Sequence, residues 1–202
     1  DEELTAMMLD LSTRGAENLN LVTPTHFLPS VVAALIAAKK QGFALPVVYN
    51  TSGYEDPEII RLLGEIVDVW LPDIKYTSDD LARTYSGCED YPAHNRAALV
   101  EMKRMQPEVV LKKGLARKGL IVRHLVLPGE AKNSRMALDF IARELGRDTW
   151  ISLMSQYFPA YKAKEYPGLS RRLSPDEYEE LVVYAESLGL SNVFIQEIEN
   201  TG

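Results

Sequence analysis

Val69-Trp70-Leu71-Pro72-Asp73-Ile74-Lys75-Tyr76 is the stretch whose reading decides the fold. A short apolar run ends in two charges, Asp73 and Lys75, set two residues apart, and then in turn residues. Working outward, three more stretches share the design: Asn20-Leu21-Val22-Thr23-Pro24-Thr25-His26, Val47-Val48-Tyr49-Asn50-Thr51-Ser52-Gly53-Tyr54, and Ile121-Val122-Arg123-His124-Leu125-Val126-Leu127-Pro128-Gly129. In a barrel or open sheet of parallel strands, such polar ends gather at one rim, where ligands bind. Four of them in succession predict an enzyme that holds a small polar ligand there.

Helical patterns separate these ends. Leu4, Met7, Met8 and Leu11 recur at helical spacing, with Gly15 as a stop. Further helices are predicted over 29–41, 56–64, 79–85, 93–105, 134–145 and 174–189. The last opens on Ser174-Pro175-Asp176-Glu177, a cap, a first-turn proline and a capping-box glutamate. Strands are predicted at 19–22, 45–49, 67–71, 120–127, 150–154 and 193–195. The basic stretches 106–118 and 160–172 read as loops.

Strand then helix, repeated, means an α/β domain with a parallel sheet and helices outside. No internal boundary or repeat interrupts residues 1–202, which read as a single domain. The pattern starts on a helix, and such a helix normally joins two parallel strands by a right-handed crossover. A strand before Asp1 is therefore expected, in keeping with the lack of a starting methionine; the alternative is a helix that covers the sheet edge.

Composition narrows the class. A hydrophobic content of 46% and a charged content of 25% are ordinary for a globular domain. A net charge of -7 argues against broad capture of nucleic acid or of an anionic membrane. No apolar run has the length of a membrane span. The single cysteine, Cys88, excludes an internal disulfide and a cysteine-built metal site within the chain, and predicts a reducing, cytoplasmic setting. No metal ligands are assigned: His26, His94 and His124 show no i, i+4 pairing.

Asn20 to Phe27, Asn50-Thr51-Ser52-Gly53-Tyr54, Leu71-Pro72-Asp73-Ile74-Lys75-Tyr76, Gly119 to Gly129 and Met154-Ser155-Gln156-Tyr157, taken in order, resemble the radical S-adenosylmethionine (SAM) enzymes. The branch they resemble is that of pyruvate formate-lyase activating enzyme. The resemblance implies an open, partial parallel β/α barrel lacking its first strand. It also implies SAM as cofactor, together with a [4Fe-4S] cluster held by a CxxxCxxC loop that follows the first barrel strand, before Asp1. Reductive cleavage of SAM would then give a 5′-deoxyadenosyl radical for hydrogen abstraction. A glycyl radical enzyme as substrate and an electron donor are the partners implied, while the Thr23-Pro24-Thr25-His26 departure leaves another peptide or a small molecule open as substrate.

By the same resemblance, Thr23, Thr25 and His26 occupy the place where the family usually has Gly-Gly-Glu against the methionyl amine. Asn50 and Thr51 match an Asp-Thr pair near the methionine carboxylate and ribose. Asp73 and Lys75 match a Leu-Asp-Leu-Lys pattern, Arg123 an arginine on the fifth strand, and Tyr157, with Gln156 beside it, a tyrosine at the sixth strand end. Read from the residues alone, Asp73 and Lys75 share a strand face and serve equally as a structural ion pair. Arg123 equally suits a salt bridge to Asp73, and His124 a packed core histidine. Two rival functions stand beside the radical enzyme: a cluster-independent lyase or aldolase using Lys75 as a Schiff base, and a non-catalytic binding module.

Overall fold

Branched aliphatic runs that alternate with amphipathic helices give one parallel sheet, seen in a computed structural model that describes residues 2–196. Helix α1 (Glu2–Thr13) leads into β1 (Leu19–Val22), and a short 3-10 turn at Pro24–Phe27 leads into α2 (Leu28–Lys40). Then follow β2 (Val47–Thr51), α3 (Pro57–Leu63), β3 (Val69–Pro72), α4 (Asp79–Ser86) and α5 (Tyr91–Met105). The hairpin of β4 (Val110–Lys112) and β5 (Leu115–Leu125) precedes α6 (Ala131–Phe140), β6 (Trp150–Met154), α7 (Pro175–Ser187) and β7 (Val193–Ile195). The spatial order is β1-β2-β3-β5-β6-β7, every neighbour parallel, with β4 antiparallel on β5. The sheet is open: β1 and β7 do not pair with each other. Among the described residues no strand lies on the outer edge of β1.

Strand alternation assigns the two faces. Tyr49, Trp70, Leu120, Val122 and Ile151 share a core with Leu63 of α3, Leu99 and Met102 of α5, Leu138 of α6 and Ala185 of α7. Helix α1 packs through Met8 on Leu35 and Ala38 of α2, over Leu19 and Val47. The intervening strand positions, including Asn50, Leu71, Asp73 and Arg123, face the other, open side.

The structure differs from the sequence expectation at 106–118. This segment is a hairpin rather than a loop, turning at Lys113 (φ 54°) and Gly114 (φ 78°). A two-residue turn with positive φ at both positions matches the twist of its strands. Arg117 at the hairpin's base donates to the Glu17 carbonyl at 2.8 Å and to its carboxylate at 2.6 Å, which ties the hairpin to the loop before β1. Helix α5 begins at Tyr91, two residues before its expected start, and this brings Tyr91 and Asn95 onto one helical face, four residues apart.

Candidate functional site

At the carboxyl end of β3 the chain changes partners. Asp73 donates its amide to Thr51 O of β2 at 2.9 Å, and Ile74 donates to Arg123 O of β5 at 2.9 Å. Asp73 and Arg123 thereby become backbone neighbours, with both side chains on the open face. Arg123 Nη2 lies 2.6 Å from Asp73 Oδ1, and Lys75 Nζ lies 2.6 Å from Asp73 Oδ2. One carboxylate thus sits between two cations and leaves one positive charge in excess. The Arg123–Asp73 contact is close but not aligned: neither Asp73 Oδ1 nor the buried Arg123 Nε has a hydrogen-bond partner. The Asp73 side chain keeps 12% of its surface, Arg123 25% and Lys75 41%, so solvent and ligands reach the cluster from one side.

The backbone beneath it is locked from α5 and α6. Asn95 Nδ2 donates to Asp73 O at 2.8 Å and to Gly53 O at 3.1 Å. The Tyr91 hydroxyl donates to Ser52 O at 2.8 Å and accepts from the Lys75 amide at 3.0 Å, while burial pushes its pKa up. Gly53 has φ +77°, and a Cβ there would lie 2.2 Å from both Asn95 Nδ2 and Asp73 O. Only glycine fits this crossing of β2 and β3 ends. Asn133 of α6 donates to Lys75 O at 2.8 Å and accepts from the amide and the hydroxyl of Thr77.

His124 lies on the helix side, fully buried. Its Nδ1 is 2.6 Å from the Ile74 carbonyl, which can only accept, so Nδ1 carries the proton and Nε2 accepts from Ser134 Oγ at 2.8 Å. Burial holds its pKa below the usual histidine value, and the ring is a neutral brace between β3, β5 and α6.

The β1 and β2 ends form a second polar group. Thr51 faces the helices, opposite to Asn50, and is buried. Its hydroxyl and those of Thr25 (2.7 Å) and Tyr49 (3.5 Å) all converge on Glu55 Oε1. Burial, with the Glu55 charge adding to it, raises the Tyr49 pKa, and a hydrogen bond with Thr25 works the other way. Glu55 is 4% exposed and has no cation among its described partners. Sequence reading did not single it out; an acid two residues past a turn glycine carries no pattern of its own. Thr23 takes a left-handed φ of 49° and donates its amide to Asn50 O at 2.8 Å. His26 is exposed, and the exposed Gln156 makes only a 3.7 Å contact to Met154 Sδ.

A cavity of about 290 Å³ opens between the ends of β3 and β5 and the segment 157–169. Lys75 and Tyr157 both line it. The structure therefore gathers Asp73, Lys75 and Arg123, and connects them to Tyr157 through the cavity. Thr25 and Thr51 belong to the Glu55 group, and Thr23, His26 and Gln156 lie at the periphery. Among the described residues no three His, Cys, Asp or Glu side chains gather to hold a metal ion.

No protein-family model matches the chain. An uncharacterized protein of Methanocaldococcus jannaschii, MJ0674, is 30% identical over 184 residues, which are 89% of this chain and 49% of that protein. The chain thus spans about half the length of the curated relative it matches. A crystal structure of a domain of pyruvate-formate lyase-activating enzyme from Bacteroides vulgatus superposes with a TM-score of 0.61 at 14% identity, covering 90% of this chain and 100% of that one. At that identity the likeness concerns the backbone: the chain has the open parallel α/β fold of a pyruvate-formate lyase-activating enzyme domain, a partial barrel.

Proposed function

We propose that this chain is the SAM-binding core of a radical SAM enzyme of the activating-enzyme type. The observation that carries the reading is the Asp73 cluster: a carboxylate held between Arg123 and Lys75, with one positive charge in excess, on the open face at the carboxyl end of the central strands. A partly exposed carboxylate and guanidinium side by side suit a zwitterionic ligand, which offers an anion to one and a donor to the other. A molecule with a carboxylate, an ammonium and a ribose diol meets both needs. Arg123 would take the carboxylate, Asp73 the ammonium or a hydroxyl, and Lys75 would hold Asp73 in place. Asn50 reaches the same face one strand away.

SAM, when bound, supplies a sulfonium whose reductive cleavage yields a carbon radical able to abstract hydrogen. The [4Fe-4S] cluster that such cleavage needs does not fit the residues described, since Cys88 is the one cysteine of the chain. The ligands of such a cluster would lie elsewhere in a longer protein. An electron donor belongs to the same reading, which leaves the substrate open between a glycyl radical enzyme and a small molecule.

The Schiff-base alternative is disfavoured by the 2.6 Å contact of Lys75 Nζ with Asp73, since a lysine nucleophile needs a free amine. Saturation-transfer NMR tests the proposal. Transfer from the protein to the adenine and ribose protons of SAM is expected for the wild type and lost in Asp73→Ala. Equal transfer in both proteins would refute it.

A further inference from the structure

The cavity beside the cluster has a chemistry of its own. Its walls are largely tyrosine rings and leucine side chains, and four of the five lining tyrosines have hydroxyls committed elsewhere. Tyr76 bonds Ser86 Oγ at 2.8 Å, Tyr85 bonds Glu130 Oε1 at 2.7 Å, Tyr157 bonds Leu169 O at 2.8 Å and Tyr166 bonds Thr84 O at 2.9 Å. What these residues present to the cavity is ring surface, joined by Leu125, Leu127 and Leu169. The charged lining residues are Lys75 and Lys162, and no carboxylate is among the described lining residues. Lys75 shares the Asp73 carboxylate with Arg123, and the three groups together keep one positive charge in excess. The cavity is therefore largely apolar, and the charge that lines it is positive.

Its outer wall is the segment 157–169. The Tyr166 hydroxyl bond to Thr84 O and the edge-on packing of the Tyr85 and Tyr166 rings, 5.2 Å apart, fasten that segment to α4. A volume of about 290 Å³ is near the lower end of small-molecule sites, roughly 300 Å³ and upward. A continuous peptide would have to displace this wall; a single small molecule would not.

We infer that this cavity binds a small aromatic or branched apolar acid, with its ring or alkyl body against the tyrosine walls and its carboxylate drawn by Lys162 and by the excess positive charge of the Lys75 group. This names the second ligand of the site proposed above and rests on that reading for its neighbour. Flat apolar walls favour a ring, and the ammonium pair excludes cations.

Calorimetry with 3-phenylpropionate, 3-phenylpropan-1-ol, 2-phenylethylammonium and an acetyl-glycine amide tests the inference. Phenylpropionate should bind at least tenfold more tightly than each of the other three. Lys162→Gln, a change at an exposed side chain, should weaken it about fivefold. Leu127→Trp, which fills the cavity, should abolish it and leave SAM binding intact. Equal or tighter binding of the alcohol, the ammonium or the glycine amide would overturn the assignment, as would no binding of phenylpropionate while SAM still binds. Loss of SAM binding with phenylpropionate retained would instead count against the radical-enzyme reading.

Discussion

Asp73 and Arg123 are joined twice, once through the backbone bridge between β3 and β5 and once through side chains 2.6 Å apart. The backbone link fixes the register, and the register puts a carboxylate and a guanidinium side by side on the open face. Asp73→Asn keeps the shape and removes the charge. It should lower unfolding stability by about 1–3 kcal/mol, since it leaves Arg123 and Lys75 without their shared anion. Urea unfolding of the two proteins measures this. An unchanged midpoint would mean that the ion pairs contribute nothing net, as exposed pairs often do.

Gly53 sits where the β2 and β3 ends cross. Gly53→Ala would force a side chain into 2.2 Å contacts with Asn95 Nδ2 and Asp73 O at a φ of +77°. A loss of about 2–4 kcal/mol is expected from combined strain and overpacking. Asn95→Ala should relieve part of the clash, so the double variant should be more stable than the sum of the single losses. Strict additivity of the two losses would show that the crossing is not as tight as the geometry states.

His124 makes stability depend on pH. Its pKa rises from a lowered value in the fold to about 6.5 on unfolding, so the unfolded chain binds the extra proton. The stabilisation is complete above that value and declines as pH falls toward the folded pKa, by at most about 1.4 kcal/mol per pH unit from this group. His124→Asn should flatten the difference in urea midpoint between pH 7 and pH 5. A slope equal to that of the wild type would assign the acid sensitivity to other groups.

Glu55 collects three hydroxyls on one oxygen. Glu55→Ala leaves those hydroxyls buried without their acceptor and should cost about 2–3 kcal/mol, while Glu55→Gln, which keeps an acceptor, should recover most of it. Thermal unfolding of both variants reads this out. Equal destabilisation by Ala and Gln would show that the charge, rather than the acceptor, matters.

Most of the sheet was legible because β1, β6 and β7 are apolar segments bounded by turn residues, and periodicity finds those directly. The β4–β5 hairpin was not, because its turn is Lys113-Gly114 in place of an asparagine–glycine pair and its strands carry Lys112, Arg117 and Lys118. Asp73, Lys75 and Arg123 were legible as charges inside apolar strands. Asn50 and Thr51 were grouped in one site from sequence, yet adjacent strand residues face opposite ways, and the structure turns Thr51 to the helices. Tyr91 and Asn95 escaped notice because their role is to hold backbone carbonyls of distant strand ends, which no local pattern announces.

The most direct measurement is calorimetric titration of SAM into wild type, Asp73→Asn and Arg123→Lys. Measurable binding to wild type is expected, weakened at least tenfold in both variants while their circular dichroism stays native. Binding that is absent from the wild type, or equal in all three proteins, would contradict a SAM site built on Asp73 and Arg123.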